Sequence, residues 1–404
     1  MKNLKINIMY RSIAKFSMSG LLALTLSAGA AAEGGFSLSG TIKGLPDSAR
    51  VVLVDVEDPN ENFEELAVGP VSGGVFELKG SVKGPRMCSL RFQRPDRKME
   101  AGYRTSFSVP LIVENCEINV ASTVPYDTLV SRRRKRGELT VTGGEAQRQY
   151  DEYARYVAGP RRKAEKIGHL GAKKYFDSNA DEDTVAKYDA LLKIAENEYQ
   201  DARLNFIKEH PDYHISSIIT QQELVKQFVY TADEINAMAE MVKLCPDTAR
   251  VSLTDRYRRF ALRYALNRTY PDFEATDPDG KVTALSSLVT PGKFAFVDFW
   301  ASWCGPCRSA IPHVRELYKK YGDRFQVLSV SVDNSEKAWR KAMDEEKMEW
   351  LQLHLAGGQS DVASKAYFLT AIPRLILIDD KGRIVCSTNK PAEVTEMLEA
   401  KLGK

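Results

Sequence analysis

FVDFWASWCGPCRSAIPH, residues 296–313, sets two cysteines, Cys304 and Cys307, behind an apolar run. KFAFVDFW (293–300) is of the buried-strand type and Pro306–Tyr321 has helical character, so the cysteines fall where a strand turns into a helix. A helix that begins just after Cys304 leaves backbone N–H groups unpaired at its start, with a partial positive charge there. Both stabilise a thiolate on Cys304, while Cys307, one turn further in, is shielded. That asymmetry suits disulfide exchange: an exposed thiolate attacks a disulfide sulfur, forms a mixed disulfide, and the second cysteine then displaces the client. Gly305 and Pro306 permit the tight turn, because proline is tolerated in the first helical turn, where its missing N–H is not needed.

Two other uses of such a pair are half a zinc site and a structural bridge. Zinc asks for a second pair at similar spacing, and the sequence has none. Asp298 lies inside the same apolar run, where an ionised carboxylate is costly unless used or paired, so its pKa is expected to rise by desolvation. Downstream come RFQVLSVSV (324–332), EKAWRKAMDEE (336–346), DVASKAYF (361–368), RLILID (374–379), RIVCST (383–388) and a last helix from Pro391 to Leu402. Strands alternating with helices, then a closing hairpin and helix, predict a central α/β sheet covered on both faces.

The chain is 404 residues long and 43% hydrophobic, enough for two or three cores, and a multidomain protein is expected. Residues 1–32 have the order of an export signal: Lys2, Lys5, Arg11 and Lys15, the run MSGLLALTLSAGAAA, and small residues near Ala30 or Ala32. No cysteine follows the run directly, so a lipoprotein anchor is not expected. This segment carries no acidic residue, and its removal takes the formal charge from +3 to about −1. A nucleic-acid partner is therefore not expected; the exception in charge is SRRRKRG (131–137), read as a solvated loop.

Residues 33–142 read as an all-β, sandwich-like domain of short antiparallel strands: FSLSGTI, VVLVDV, GVFELKGSV, SLRF, FSVPLIVE and CEINVAS. Cys88 and Cys116 lie on this alternation and either pair or serve as small buried hydrophobes. Residues 143–268 read as helical. Tyr188, Leu191, Leu192, Ala195, Tyr199, Ala202 and Phe206 form one stripe of a helix ending before Pro211, and Thr231 with Glu234 predicts a capping box. His210 and His214 have the spacing of two metal ligands, but Pro211 between them predicts a turn between helices.

Residues 269–404, the third region, resemble a thioredoxin domain of the exported TlpA/ResA-like branch. The resemblance is carried by PDFEATDPDGKVTALSSL (271–288), FVDFWASWCGPCR (296–308), Pro312 and TAIPRLILID (370–379). The β-rich region is similar, through SGTIKGLPDSARVVLVD (39–55) and GVFELKGSV (74–82), to the domain that precedes thioredoxin-like domains in some Gram-negative envelope proteins. The resemblance implies Cys304 as nucleophile, Cys307 as resolving thiol and Asp298 as the buried acid that relays their proton. It implies a cis bond before Pro373, Ile372 backbone groups that pair with a client strand, and Trp303 as the floor of that groove, beside Gly305, Pro306 and Arg374. Three residues depart from the pattern: Ala310 stands where relatives commonly carry Glu, so that Asp298 would handle protons alone; Arg374 follows the cis proline, where it is either a fixed cation near the groove that favours acidic clients or lowers the Cys304 pKa, or a solvent-facing arginine; and Ser329, judged by its spacing from Asp333, occupies the position of the lysine that accompanies the buried acid in thioredoxin.

The expected protein is an exported thiol-disulfide oxidoreductase of the periplasm or envelope, most readily a reductant, with cytochrome c precursors among its conceivable clients. Its partners are disulfide-bearing proteins and a membrane thiol donor; it needs no metal and no cofactor beyond the redox-active Cys304–Cys307 disulfide. An isomerase or oxidase, or an envelope protein that works by ligand binding through its β domain, are the rival expectations. No oligomeric state follows from the sequence.

Overall fold

The computed structural model describes residues 34–57, 63–94, 106–131, 139–175, 182–358, 362–367, 369 and 371–403. Residues 1–32, read from the sequence as an export signal, and the basic run 132–136 lie outside the described residues.

Among the described residues the N-terminal region has nine strands: β1 (Phe36–Thr41), β2 (Arg50–Asp55), β3 (Glu65–Gly69), β4 (Val71–Ser72), β5 (Val75–Gly80), β6 (Arg86–Gln93), β7 (Ser106–Val113), β8 (Glu117–Ser122) and β9 (Leu139–Thr142). One sheet has the order β4-β5-β1-β8-β9 and the other β3-β2-β6-β7. Their inner faces meet in a core where Phe76 of the first sheet packs edge-on to Phe92 of the second, and Phe92 stacks on Phe107. The antiparallel expectation fails for one pair, since β1 and β8 run parallel. Parallel neighbours need a long crossover, and here the second sheet supplies it. Cys88 is buried in the core and Cys116 lies at its margin, and the two are not bridged.

Helices follow: α1 (Tyr126–Val130) within the β region, then α2 (Glu145–Tyr156), α3 (Ala158–Tyr175), α4 (Glu182–Glu209), α5 (His214–Leu224), α6 (Ala232–Met241) and α7 (Thr248–Ala261). The Thr231–Glu234 capping box is present, with the Thr231 amide donating to the Glu234 carboxylate at 2.8 Å. His210 and His214 flank the turn between α4 and α5. The α4 stripe is only half used. Ala195 and Phe206 are buried, whereas Leu191 is exposed; the N-terminal half of α4 packs chiefly on α3, with Leu192 and Tyr188 set against Gly168 and Gly171. No helix among the described residues is long and apolar enough to cross a membrane.

The C-terminal region has one seven-stranded sheet, in the order β11-β10-β14-β13-β12-β15-β16. Its strands are β10 (Glu274–Thr276), β11 (Val282–Ala284), β12 (Phe294–Trp300), β13 (Phe325–Ser331), β14 (Leu351–His354), β15 (Arg374–Ile378) and β16 (Ile384–Thr388). The helices are α8 (Leu285–Leu288), α9 (Gly305–Tyr321), α10 (Glu336–Glu345), α11 (Val362–Ala366) and α12 (Pro391–Leu402). β12, β13 and β14 are parallel neighbours, so both crossovers move the same way along the sheet. Right-handed crossovers then put α9 and α10 on one face, where Arg308 ties α9 to Glu345 and Glu346. On that face Tyr318 and Tyr321 of α9 meet Trp350 and Phe325. On the opposite face Phe299 packs against Tyr367, which also meets Phe228 from the helical region. The connecting segment adds to the sheet edge: the Asn267 amide donates to the Ile384 carbonyl, and the Ile384 amide to the Arg268 carbonyl.

Candidate active site

β12 ends at Trp300, the chain turns, and Cys304 caps α9. The Cys304 Sγ accepts from the Cys307 amide at 3.2 Å and is joined to Cys307 in a disulfide. It therefore sits on the unpaired N–H groups that make a helix start favourable to a thiolate. Cys304 is 5% exposed and Cys307 1%. The difference has the expected sign but is small: with the disulfide closed, Cys304 is a buried residue rather than an exposed one. Gly305 and Pro306 are exposed beside it. Trp303 is 62% exposed and stands out from the surface beside the dithiol. Its neighbour Ser302 is the anchored one.

That anchor is Asp333, a residue the sequence offered only as a spacing marker. Its buried carboxylate accepts from the Ser302 amide at 2.8 Å, the Ser302 hydroxyl at 2.6 Å and the Ser331 hydroxyl at 2.8 Å. His354 Nε2 lies 2.8 Å from the Asp333 carbonyl oxygen and stacks on Trp339. The turn before Cys304 is thus held from the end of β13. The available signal was an aspartate directly after a buried strand, where an ionised group needs donors.

Asp298 is buried in mid-sheet. Alternation puts it with Phe296 and Trp300 on the face covered by α9, the face into which Cys307, Ile311 and Val314 turn. Its register partners are Ser329 and Leu375. Burial pushes its pKa up to about 7, against which a 3.4 Å hydrogen bond from the Ser329 hydroxyl acts weakly. Ser329 does stand beside the buried acid, where spacing had placed it.

The midpoint of this carboxyl in the folded, disulfide-bonded protein lies above that of an unfolded aspartate at 3.8. Between the two the folded state keeps a proton that the unfolded chain has lost, so stability falls as pH rises through this window, and the deficit is complete above about pH 7. Each pH unit between the midpoints is worth about 1.4 kcal/mol. Asp298→Asn is accordingly expected to raise the thermal unfolding temperature of the oxidised protein at pH 8, with a much smaller gain at pH 4. Equal gains at both would show that Asp298 is not held neutral.

The Ile372–Pro373 bond is cis, and both residues are half-buried, with Ala371 exposed beside them. Arg374 departs from expectation. It is the register partner of Phe299, not of Asp298, so its side chain starts on the face away from α9 rather than over the dithiol. Its Nε has no hydrogen-bond partner among the described residues, and burial lowers its pKa, the nearby Cys386 sulfur opposing. Pro312 lies inside α9, and Ala310 is half-buried there, adding no carboxylate. Among the described residues no group of three or more His, Cys, Asp or Glu could hold a metal ion.

A disulfide capping a helix, a buried acid on the strand that leads to it and a cis proline define the site of a thiol-disulfide exchange protein. The Redoxin family matches residues 265–402, and a Domain of unknown function (DUF4369) matches residues 36–150. Thiol-disulfide oxidoreductase ResA of Bacillus cereus is 30% identical over 121 residues, which cover 30% of this chain and 67% of that protein. ResA of Bacillus thuringiensis is 28% identical over 140 residues, 34% of this chain and 78% of that one. Among solved structures, the thioredoxin domain of a thiol-disulfide oxidoreductase from Bacteroides vulgatus is 28% identical and covers 34% of this chain and 96% of its own, with a TM-score of 0.32. The chain belongs to the TlpA/ResA-like thioredoxin family and is a thiol-disulfide oxidoreductase acting on disulfide-bearing proteins.

Proposed function

We propose that this protein is an exported reductase of envelope disulfides, fed by a membrane thiol carrier, with cytochrome c precursors among its clients. The observation that carries the proposal is the pair itself: Cys304 at the helix cap and Cys307 one turn inside. The Cys304 thiolate attacks one sulfur of a client disulfide, and the other client sulfur leaves with the bonding electrons. The Cys307 thiolate then attacks Cys304, closing the protein disulfide and releasing the second client thiolate. Two electrons pass to the client, and the membrane donor returns them. Asp298 takes the Cys307 proton in the second step, and the backbone at Ile372, beside the cis bond, is where an extended client strand would pair.

Export is supported by the order of charge, apolar run and small residues in 1–32. The reducing direction is supported by Gly305 and Pro306 between the cysteines, the dipeptide of reducing thioredoxins. In general, thioredoxin has a potential near −270 mV and the oxidant DsbA near −120 mV, about −270 and about −120 being the poles of the scale. Equilibration of the full chain with glutathione buffers is expected to give a value toward the thioredoxin pole. A value close to that of DsbA sinks the reducing direction and leaves the exchange chemistry intact.

A further inference from the structure

Ser329 is a fully buried hydroxyl inside the apolar strand β13, and disulfide exchange as such does not account for it. Its Oγ lies 3.4 Å from Asp298 Oδ2 and 2.9 Å from Trp350 Nε1. An indole N–H can only donate, so Trp350 must occupy a lone pair of Oγ and cannot receive the serine proton. In the structure that proton is directed at Asp298 Oδ2, although the Oε1 of Gln352, the register partner of Ser329, is also buried and without a partner among the described residues. Trp350 is itself fixed, buried against Tyr318 of α9, with its carbonyl accepting from Gln352.

We propose that Ser329 and Trp350 are positioning residues for the proton that Asp298 carries: the indole fixes the hydroxyl, the hydroxyl donates to Oδ2, and the exchangeable proton is confined to Oδ1. The inference rests on the exchange reading above. In the resolving step the Cys307 S–H bond breaks and its proton goes to Oδ1 of the Asp298 carboxylate. The thiolate so formed makes the Cys304–Cys307 bond, and the client sulfur leaves with the electron pair of the bond to Cys304. Thioredoxin places a lysine at the Ser329 position; a neutral donor there favours the carboxylate less, and directs it more narrowly.

The titratable groups facing Asp298 are few. On α9 they are Cys307 and, at the cap, Cys304, both titratable once reduced; β13 offers Ser329, and β15 offers Leu375 and Leu377, which do not titrate. No charged side chain among the described residues acts on it. Removing the hydroxyl therefore takes away the one group that favours the carboxylate form.

The test is the infrared carboxyl titration of the full-length oxidised protein, with the Asp298 band identified by its loss in Asp298→Asn. Ser329→Ala is expected to raise the midpoint by about half a pH unit, as befits a long hydrogen bond. Trp350→Phe, which frees the hydroxyl to rotate, should move it the same way by less, and Ser329→Thr should restore it. Thermal unfolding identifies any variant that has lost its fold. An unmoved midpoint in a folded Ser329→Ala protein overturns the inference, as does a downward shift in Trp350→Phe. Reduction of a peptide disulfide by the reduced wild-type protein is measured separately: failure there removes the reductase reading while the carboxyl midpoints still decide the role of Ser329.

Discussion

Cys307→Ala is expected to accumulate client proteins as mixed disulfides on Cys304 and to lose multiple-turnover reduction by about a thousandfold or more, as when one member of a catalytic unit is removed. Cys304 stays at the cap of α9, where backbone donors support its thiolate, so the first attack survives. The second does not, because the resolving sulfur one turn inside the helix is gone. Non-reducing electrophoresis with mass spectrometry of cells carrying the variant reads the adducts, and insulin reduction reads the turnover. Cys304→Ala is the necessary comparison. If adducts form there and not on Cys307→Ala, the roles of the two cysteines are reversed.

The catalytic helix and its strand were legible because their local signals agree with their tertiary setting. An uninterrupted apolar run is what a strand buried on both faces needs, and β12 is buried at all seven positions. The helix from Gly305 to Tyr321 and the last helix from Pro391 to Leu402 have proline in their first turn and clear apolar faces. Signals that depend on pairing were harder to read. β3, β4 and β9 carry no such signal, being short or half-exposed strands whose partners define them. The parallel β1–β8 pair likewise follows from chain path and leaves no trace in alternation. At the site, Asp298 declared itself by being an acid among apolar residues. Arg374 misled, because adjacency to the cis proline in sequence says nothing about which face of the sheet its side chain takes. Asp333 escaped notice because its donors, Ser302 and Ser331, come together only once β12 and β13 are side by side.

The same dependence on pairing governs the joints between regions. The sheet edge at β16 is closed by residues 267–269, and Phe228, at a backbone φ of 55°, reaches the aromatic cluster around Tyr367. Two ion pairs, Lys193–Glu396 and Lys390–Glu196, link α4 to the start and middle of α12. These pairs are exposed and worth little individually.

The strongest joint lies elsewhere, at the other end of the helical region, and Arg250→Met is expected to destabilise the protein by about 3 kcal/mol or more. The Arg250 side chain is 3% exposed; its Nη2 donates to both oxygens of Glu57, at 3.0 and 3.1 Å, and to the Pro85 carbonyl. Its Nη1 donates to Gln221 at 3.1 Å, and the Tyr257 hydroxyl to the Glu57 carbonyl at 3.1 Å. Glu57 follows β2, while Arg250 and Tyr257 lie on α7, so one buried charge pair clamps the β sandwich to the helices. Methionine keeps the apolar stem and removes the charge, leaving Glu57 with Arg86 and the Met87 amide as partners. A buried carboxylate that has lost its main counter-ion cannot regain water without opening the interface. Urea unfolding of the wild type, Arg250→Met and the double variant Arg250→Met with Glu57→Gln separates the two contributions. The double variant should recover part of the loss, since the unpaired charge goes with it. If it is as unstable as the single variant, the clamp works through shape and hydrogen bonding, and charge pairing is not what joins the two regions.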